Sequence, residues 1–365
     1  MTASPQNQDP EISSEVEVLS HVLRIFEPAS GAWSIFRKNR RILLALPRSS
    51  EGAGRALQLY QPQRRAAKLV TRTVKCLADL GLHTFLPSFR TEVARLSVEP
   101  PLEGIEAGTC GVMLGSPEHR VKRAIASYRS DFGWEVAKIA FGPAGIRGIT
   151  REAEVLASLH DKTGSAPALL GIHLGPNFAL LRMPYLSGMP IPAGETREAM
   201  ALLDTWKSEL PPIPASTFGE WKAIEAALSP YQESDTILQR LARMDLRPVI
   251  CHGDFARWNL LRPHDGPVAV LDWEWARENG MPGIDLVHYF AQDARLVQRL
   301  NPKDSITATI AALETPACRK YLHETGWTGS PLDPIIACLA FKQGAAQQDN
   351  LGVLKAALDL SATNG

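Results

Sequence analysis

The stretch "VICHGDFARWNLLRPHDGPVAVLDWEW", residues 249–275, decides how this chain is read. Asp254 follows a His-Gly pair, Asn259 comes five residues later, and Asp272 stands beyond a turn signal. The run "NLLRPHDGPVAVLDW" reads as strand, turn, strand: Leu260 and Leu261, the breaker "RPHDGP", then Val268 to Leu271. A hairpin brings its two ends together. Asn259 and Asp272 are therefore expected side by side, with Asp254 on the loop leading in. Two acids and an amide are all oxygen donors, a set that suits a hard divalent cation such as magnesium. A carboxylate kept off the metal and near a substrate hydroxyl suits proton acceptance. One such acid would be an ordinary turn residue; three at these spacings between strands are not.

The bulk composition narrows the classes. The chain has 365 residues, 45% hydrophobic and 21% charged, enough for two or three packed units. Its 39 basic and 39 acidic residues balance, so no global field favours nucleic acid or an anionic membrane. The five scattered cysteines suggest neither a zinc site nor a disulfide framework, and fit a reducing cytoplasm. No export signal opens the sequence, and no apolar run reaches the roughly 18 residues that span a bilayer. The expectation is a soluble cytoplasmic protein with no nucleic-acid or membrane partner and an open oligomeric state.

Outward from the hairpin, periodicity lays out the rest. Residues 1–14 are expected to be a disordered tail. Residues 15–100 are expected to form an α/β extension of unknown role. In it Val16, Leu19, Val22, Leu23 and Phe26 recur at helical spacing, and "RILLALP" and "RALQLYQP" read as two strands. "RRAAKLVTRTVKCLADLG" is an amphipathic helix with Ala66, Leu69, Val70, Val74, Leu77 and Leu80 on one face. Its other face carries Arg64, Arg65, Lys68, Arg72 and Lys75, which with Arg37, Lys38, Arg40 and Arg41 make this segment basic. A solvated helix face is the favoured reading, contact with a phosphate-bearing ligand the other. From residue 108 "CGVML", "RAIASY" and "WEVAKIAF" read as strands and "REAEVLASLH" as a helix. Helices dominate after about residue 195.

His252, Gly253, Asp254 and Asn259 reproduce the H-x-D-x-x-x-x-N spacing of the protein-kinase catalytic loop. "HGD", "LDWEWA" and "PGIDLVHYF" resemble the aminoglycoside phosphotransferase and choline-kinase-like family over roughly residues 108 to 345. The resemblance implies an α+β, two-lobed protein-kinase-like fold, with a β-rich N-lobe and hinge at 101–188 and a helical C-lobe at 189–365. It implies Asp254 as catalytic base, Asn259 and Asp272 as magnesium ligands, and His252 and Asp285 as buttresses of the loop. The cofactors implied are Mg2+ and ATP, with GTP left open.

Such a site needs a strand lysine oriented by a helix acid. Lys138 in "WEVAKIAF" is either a solvent-facing alternation or a cleft charge, and the downstream motif favours the second. Glu152 shares the inward stripe with Leu156 and Leu159, whereas Glu154 faces away. Gly115 and Ser116 in "LGSPEH" form the candidate phosphate turn, with an ordinary turn as the rival reading. In the connector "LLRMPYLSG" Pro184 has no N–H, so Met183 or Tyr185 would meet the base. Trp258, Trp273 and Trp275 are read as packing rather than as an aromatic box. The expected activity is transfer of the γ-phosphate to a hydroxyl of a small molecule such as a sugar, amino alcohol or aminoglycoside. Glu198, Asp204 and Glu209 are read as solvated faces, and a catalytically weak nucleotide-binding module is the alternative.

Overall fold

Alternating apolar residues between 32 and 184 build one antiparallel sheet of eight strands. The structure is a computed structural model that describes residues 10–26, 31–60, 62, 65–90, 102–115, 122–231, 234–263, 266–345 and 351–363. The chain divides into two units, residues 1–157 with 168–185, and residues 158–167 with 186–365.

The first unit opens with helix α1 (Pro10–Phe26), followed by strands β1 (Ala32–Lys38) and β2 (Arg41–Leu46). Helices α2 (Ser50–Leu59) and α3 (Arg65–Asp79) come next, then β3 (Ser88–Arg90), β4 (Gly111–Leu114), β5 (Arg123–Ser130) and β6 (Gly133–Phe141). Helix α4 (Gly142–Thr163) leads to β7 (Gly171–Leu174) and β8 (Phe178–Pro184). The strand order is β3-β1-β2-β4-β5-β6-β8-β7. A strand points successive side chains to opposite faces. Ala45 and Ile35 thus join a core with Leu19, Leu23 and Phe26 of α1, where the Phe26 and Tyr128 rings lie 4.7 Å apart. Leu44 and Leu46 turn the other way, onto Ala53, Ala56 and Leu57 of α2 and Val74 and Ala78 of α3.

Several expectations are corrected here. The segment "RALQLYQP", expected as a strand, lies largely in α2. Its apolar residues Ala53, Ala56 and Leu57 follow a helical spacing, and Ser49 caps the helix by accepting the Gly52 N–H at 3.1 Å. A boundary at residue 100 divides one sheet, because β2 pairs directly with β4, Leu44 opposite Met113. Helix α1 begins at Pro10, inside the stretch expected to be disordered up to residue 14; residues 1–9 lie outside the described residues. Helix α3 forms as expected, but it packs through Val74 and Ala78, leaving Leu69, Val70 and Leu80 exposed.

The second unit supplies β9 (Gly188–Pro190), α5 (Arg197–Thr205), β10 (Ile213–Pro214), α6 (Trp221–Leu228) and α7 (Ser234–Ala242). Short strands β11 (Asp245–Leu246), β12 (Val249–Cys251), β13 (Leu260–Pro263), β14 (Ala269–Val270) and β15 (Arg277–Gly280) follow. Helices α8 (Ile284–Gln292), α9 (Pro302–Leu313), α10 (Pro316–Glu324), α11 (Leu332–Gly344) and α12 (Leu351–Thr363) complete it. The predicted hairpin is present: Leu260 pairs with Val270 and Leu261 with Ala269. β9 closes its other edge, and a Cβ at Gly188 would lie 2.4 Å from the Arg262 carbonyl oxygen. Helix α11 is buried almost throughout, including Asp333 and Lys342, and packs against α6, α8 and α12. No helix among the described residues is long and apolar enough to cross a membrane.

The seat of α2 on the sheet is tight, since a Cβ at Gly111 would lie 2.3 Å from the Ala56 Cβ. Gly111→Val is predicted to cost about 2 kcal/mol by overpacking, read as a lower urea midpoint at an unchanged m-value. Gly54→Ala, with open space at the Cβ position, should be neutral or stabilising by up to about 1 kcal/mol.

Candidate active site

The loop after β12 is built from its backbone outward. Asp285, in the first turn of α8, accepts the His252 N–H at 2.6 Å and the Gly253 N–H at 2.9 Å. Gly253 has a φ of 80°, and a Cβ there would lie 2.7 Å from the carbonyl oxygen of Trp275. Glycine is therefore required for both conformation and approach. The buried Lys342 of α11 donates to the Gly253 carbonyl oxygen. The buried His252 ring bridges two segments. Its Nδ1 accepts the Asp254 N–H at 3.2 Å, which puts the proton on Nε2, donated to the Leu271 carbonyl at 2.9 Å. Burial pushes the His252 imidazole below its ordinary value and keeps it neutral.

This bridge fixes the backbone that leads into Asp272. Leu271, held by His252 through its carbonyl, also donates its N–H to the Asn259 carbonyl at 2.8 Å. Asp272 follows directly, with a φ of 70° that is rare outside glycine. The Asn259 amide nitrogen donates to Asp254 twice, to the backbone oxygen at 2.9 Å and to Oδ2 at 3.2 Å. The amide oxygen Oδ1 is thereby turned away from Asp254.

Asp254 itself keeps 26% of its side chain exposed. His288 of α8 donates from Nε2 to Oδ1 at 2.8 Å. Burial raises the Asp254 pKa, but the His288 hydrogen bond and the nearby Lys342 charge outweigh it and hold the carboxylate well below its usual range. Burial and Lys342 together keep the His288 imidazole below its ordinary value.

In the first unit Lys138 of β6 meets Glu152 of α4, Nζ to Oε1, at 2.5 Å. Ala137 and Ile139 point into the core beneath α1, so Lys138 takes the opposite face. Glu152 is buried and Glu154 exposed, as their places on the helix predict.

The remaining nucleotide-side expectations fare differently. Gly115 donates its N–H to the Arg123 carbonyl at 2.9 Å, extending the β4–β5 ladder instead of offering that donor to a phosphate. Ser116 lies outside the described residues. Tyr185 donates its N–H to the Trp134 carbonyl at 2.9 Å, and its hydroxyl to Gln58 of α2 at 2.6 Å. Met183 faces Val136 two residues along the same antiparallel ladder, and its side chain is buried. The backbone donors assigned to a nucleotide base are thus committed to strand pairing, which corrects the reading of the connector. Trp273 is buried against Trp206 and His252, as packing predicts.

Two residues near Asp254 escaped sequence reasoning. His288 stands three residues after Asp285 in "PGIDLVHYF", one turn along the same helix face, and that spacing was a usable signal. Lys342 is a lone cation in an otherwise apolar helix run, "IIACLAFK", a pattern that itself asks for a buried acceptor.

No group of three or more His, Cys, Asp or Glu able to hold a metal occurs among the described residues. Asn259 Oδ1 and the Asp272 carboxylate are two hard oxygens. Such a pair fits a magnesium ion that completes its shell with phosphate oxygens and water better than it fits a resident metal.

The loop with its asparagine and following aspartate, and the strand lysine with its helix glutamate, are the parts of a protein-kinase-like phosphotransferase fold. Residues 136–302 match the model of the phosphotransferase enzyme family (APH). A choline kinase from Streptococcus pneumoniae is similar in structure, at 15% identity over 82% of this chain and 100% of its own, with a TM-score of 0.42. An aminoglycoside phosphotransferase from Streptomyces rimosus shares 20% identity over 55% of this chain and 87% of its own, with a TM-score of 0.35. A Plasmodium vivax ethanolamine kinase shares 11% over 69% and 81%, with a TM-score of 0.43. No curated protein matches the chain.

The buried neutral His288 carries a pH signature. Its folded pKa lies below the unfolded value of about 6.5, so the unfolded chain binds the extra proton first and stability falls as pH drops below that value. His288→Gln keeps a donor toward Asp254 but removes this titration. Its urea midpoint is predicted to fall less than that of the wild type between pH about 7.5 and about 5.5. An equal fall in both proteins removes His288 from the account.

Proposed function

We propose that this protein is a small-molecule kinase that transfers the γ-phosphate of ATP, with magnesium, to a hydroxyl of its acceptor. The observation that carries the reading is Asp254. It is a partly exposed carboxylate, held at one oxygen by His288 and at the other by Asn259. The match of residues 136–302 to the phosphotransferase enzyme family supports it.

Asp254 accepts a hydrogen bond from the acceptor hydroxyl and aligns that oxygen for in-line attack. Its depressed pKa makes it a weak base, so orientation comes first and the proton follows late, as a loose phosphoryl-transfer transition state allows. Asn259 and Asp272 would hold magnesium, which neutralises charge on the bridging and γ-oxygens. Lys138, oriented by Glu152, serves the α- and β-phosphates. With the Gly115 and Tyr185 N–H groups committed to the sheet, nucleotide affinity rests on charge at the phosphates more than on the base. ATP and GTP are then expected to bind with similar strength.

The acceptor is argued from the acids of the second unit. Glu198 meets Arg262 at 2.5 Å and Asp204 meets Lys207 at 2.9 Å, so these carboxylates are already answered by cations of the chain. A sugar or amino alcohol is the favoured acceptor over a polycationic aminoglycoside. The committed hinge donors also favour a second reading, a nucleotide-binding module that does not turn over; stabilisation by Mg-ATP without ATP consumption across acceptors would support it.

An acceptor screen that follows ATP consumption over sugars, amino alcohols and aminoglycosides tests the main reading. On the acceptor it finds, Asp254→Ala should lower kcat by about 10²- to 10⁴-fold with Mg-ATP affinity largely retained. Asp272→Ala should abolish both transfer and the magnesium dependence of ATP binding. Lys138→Ala should weaken ATP binding and leave the fold intact. Full activity of the Asp254 variant would remove its assigned role.

A further inference from the structure

The basic, amphipathic segment that the proposed kinase chemistry leaves unused is α3 and the turn after it. Its inner face is small: Val74 and Ala78 are buried, and Ala67 and Thr71 half-buried. Its outer face is apolar and open. Leu69 is 66% exposed, Leu80 71% and Phe85 85%, with Val70 and Leu82 also exposed. On a helix of 3.6 residues per turn Leu69, Val70 and Leu80 fall within about a third of the circumference. Lys68, Arg72 and Lys75 line one border of that stripe, all exposed, and no carboxylate pairs with them among the described residues. Asp79 is the one acid on the helix.

A second basic element lies beside the entry to α3. The β1–β2 hairpin turns tightly at Asn39 and Arg40, both with positive φ, and exposes Arg37, Lys38 and Arg40. The Lys38 ammonium meets the Tyr60 hydroxyl at 3.3 Å, which ties the hairpin tip to the chain five residues before α3. Cations at the tip and along the helix border thus frame the apolar stripe.

We propose that this face docks reversibly on an anionic lipid membrane. A second copy of the chain would set these cations against one another. The apolar side chains stand out from the surface, and a lipid interface accepts such side chains without a shaped complement while its phosphates meet the flanking cations. A helix of 15 residues with one face seated on α2 lies on a bilayer and does not span it. The zero net charge of the whole chain does not oppose this, because attraction acts within a Debye length of about 10 Å. The proposal stands apart from the phosphotransfer reading and needs no acceptor.

The test is co-sedimentation of the full chain with vesicles of phosphatidylcholine alone and of phosphatidylcholine with phosphatidylserine. Binding is expected to the second only, and to fall as salt rises. Lys68→Glu with Arg72→Glu should weaken partitioning by about fivefold or more for each cation. Leu80→Ser with Phe85→Ser should weaken it at least about tenfold, with unchanged thermal melts in both pairs. No binding, equal binding to neutral vesicles, or binding indifferent to both pairs overturns the proposal. A concentration-dependent dimer that Leu80→Ser with Phe85→Ser abolishes also overturns it, and assigns the face to a second copy.

Discussion

The candidate site hangs on the Asp285 carboxylate. Two successive backbone N–H groups, those of His252 and Gly253, end on its two oxygens. Charge-assisted hydrogen bonds of this kind are roughly twice as strong as neutral ones. With Gly253 in the left-handed region, they fix the direction in which the chain leaves β12 and so where Asp254 stands. The anchor sits on helix α8, one turn from His288. The same rigid element therefore sets the loop's backbone and holds the carboxylate the loop presents.

From that anchor the order passes through side chains whose two ends are both used. His252 takes the Asp254 N–H with one ring nitrogen and gives the other to Leu271. Asn259 spends its amide nitrogen on Asp254 and its backbone carbonyl on Leu271. A polar network paired at this many positions admits few alternative arrangements. Such a network can keep Asp272 in a backbone region that costs on the order of 1–3 kcal/mol. The strained residue is also the one expected to face a cation, and strain of this kind gathers where a structure has a chemical task.

Much of this was legible in the sequence because the relevant signals are local. The period-two run on each side of "RPHDGP" specifies the hairpin, which pairs Asn259 with Leu271, the residue before Asp272. Glu152 was placed by counting four and seven residues to Leu156 and Leu159. What sequence reasoning missed depends on contacts made at a distance. Helix α2 was hidden by its glycines; it seats because Gly52 lies against the Thr109 carbonyl and Gly111 of β4 leaves room for Ala56. The pattern put Leu69, Val70, Val74 and Leu80 of α3 on one face, yet the side that packs is the adjoining one, through Val74 and Ala78. The Gly115 and Tyr185 donors were read as open because nothing local shows that Arg123 and Trp134 take them.

The charges around the loop add up to a definite sign. Asp254 and Asp285 bring two negative charges and Lys342 one positive, while burial keeps His252 and His288 neutral. Lys342 is spent on the Gly253 carbonyl, so it stabilises the loop's backbone without covering the face of Asp254. The Asp272 carboxylate adds to the negative side. A loop of that sign repels a bare polyphosphate and attracts a hard cation. The neutral imidazoles matter for the same reason. Were either protonated, it would cancel one of those negative charges; burial against Trp273 and Phe255 keeps His252 neutral, and burial with the Lys342 charge does the same for His288.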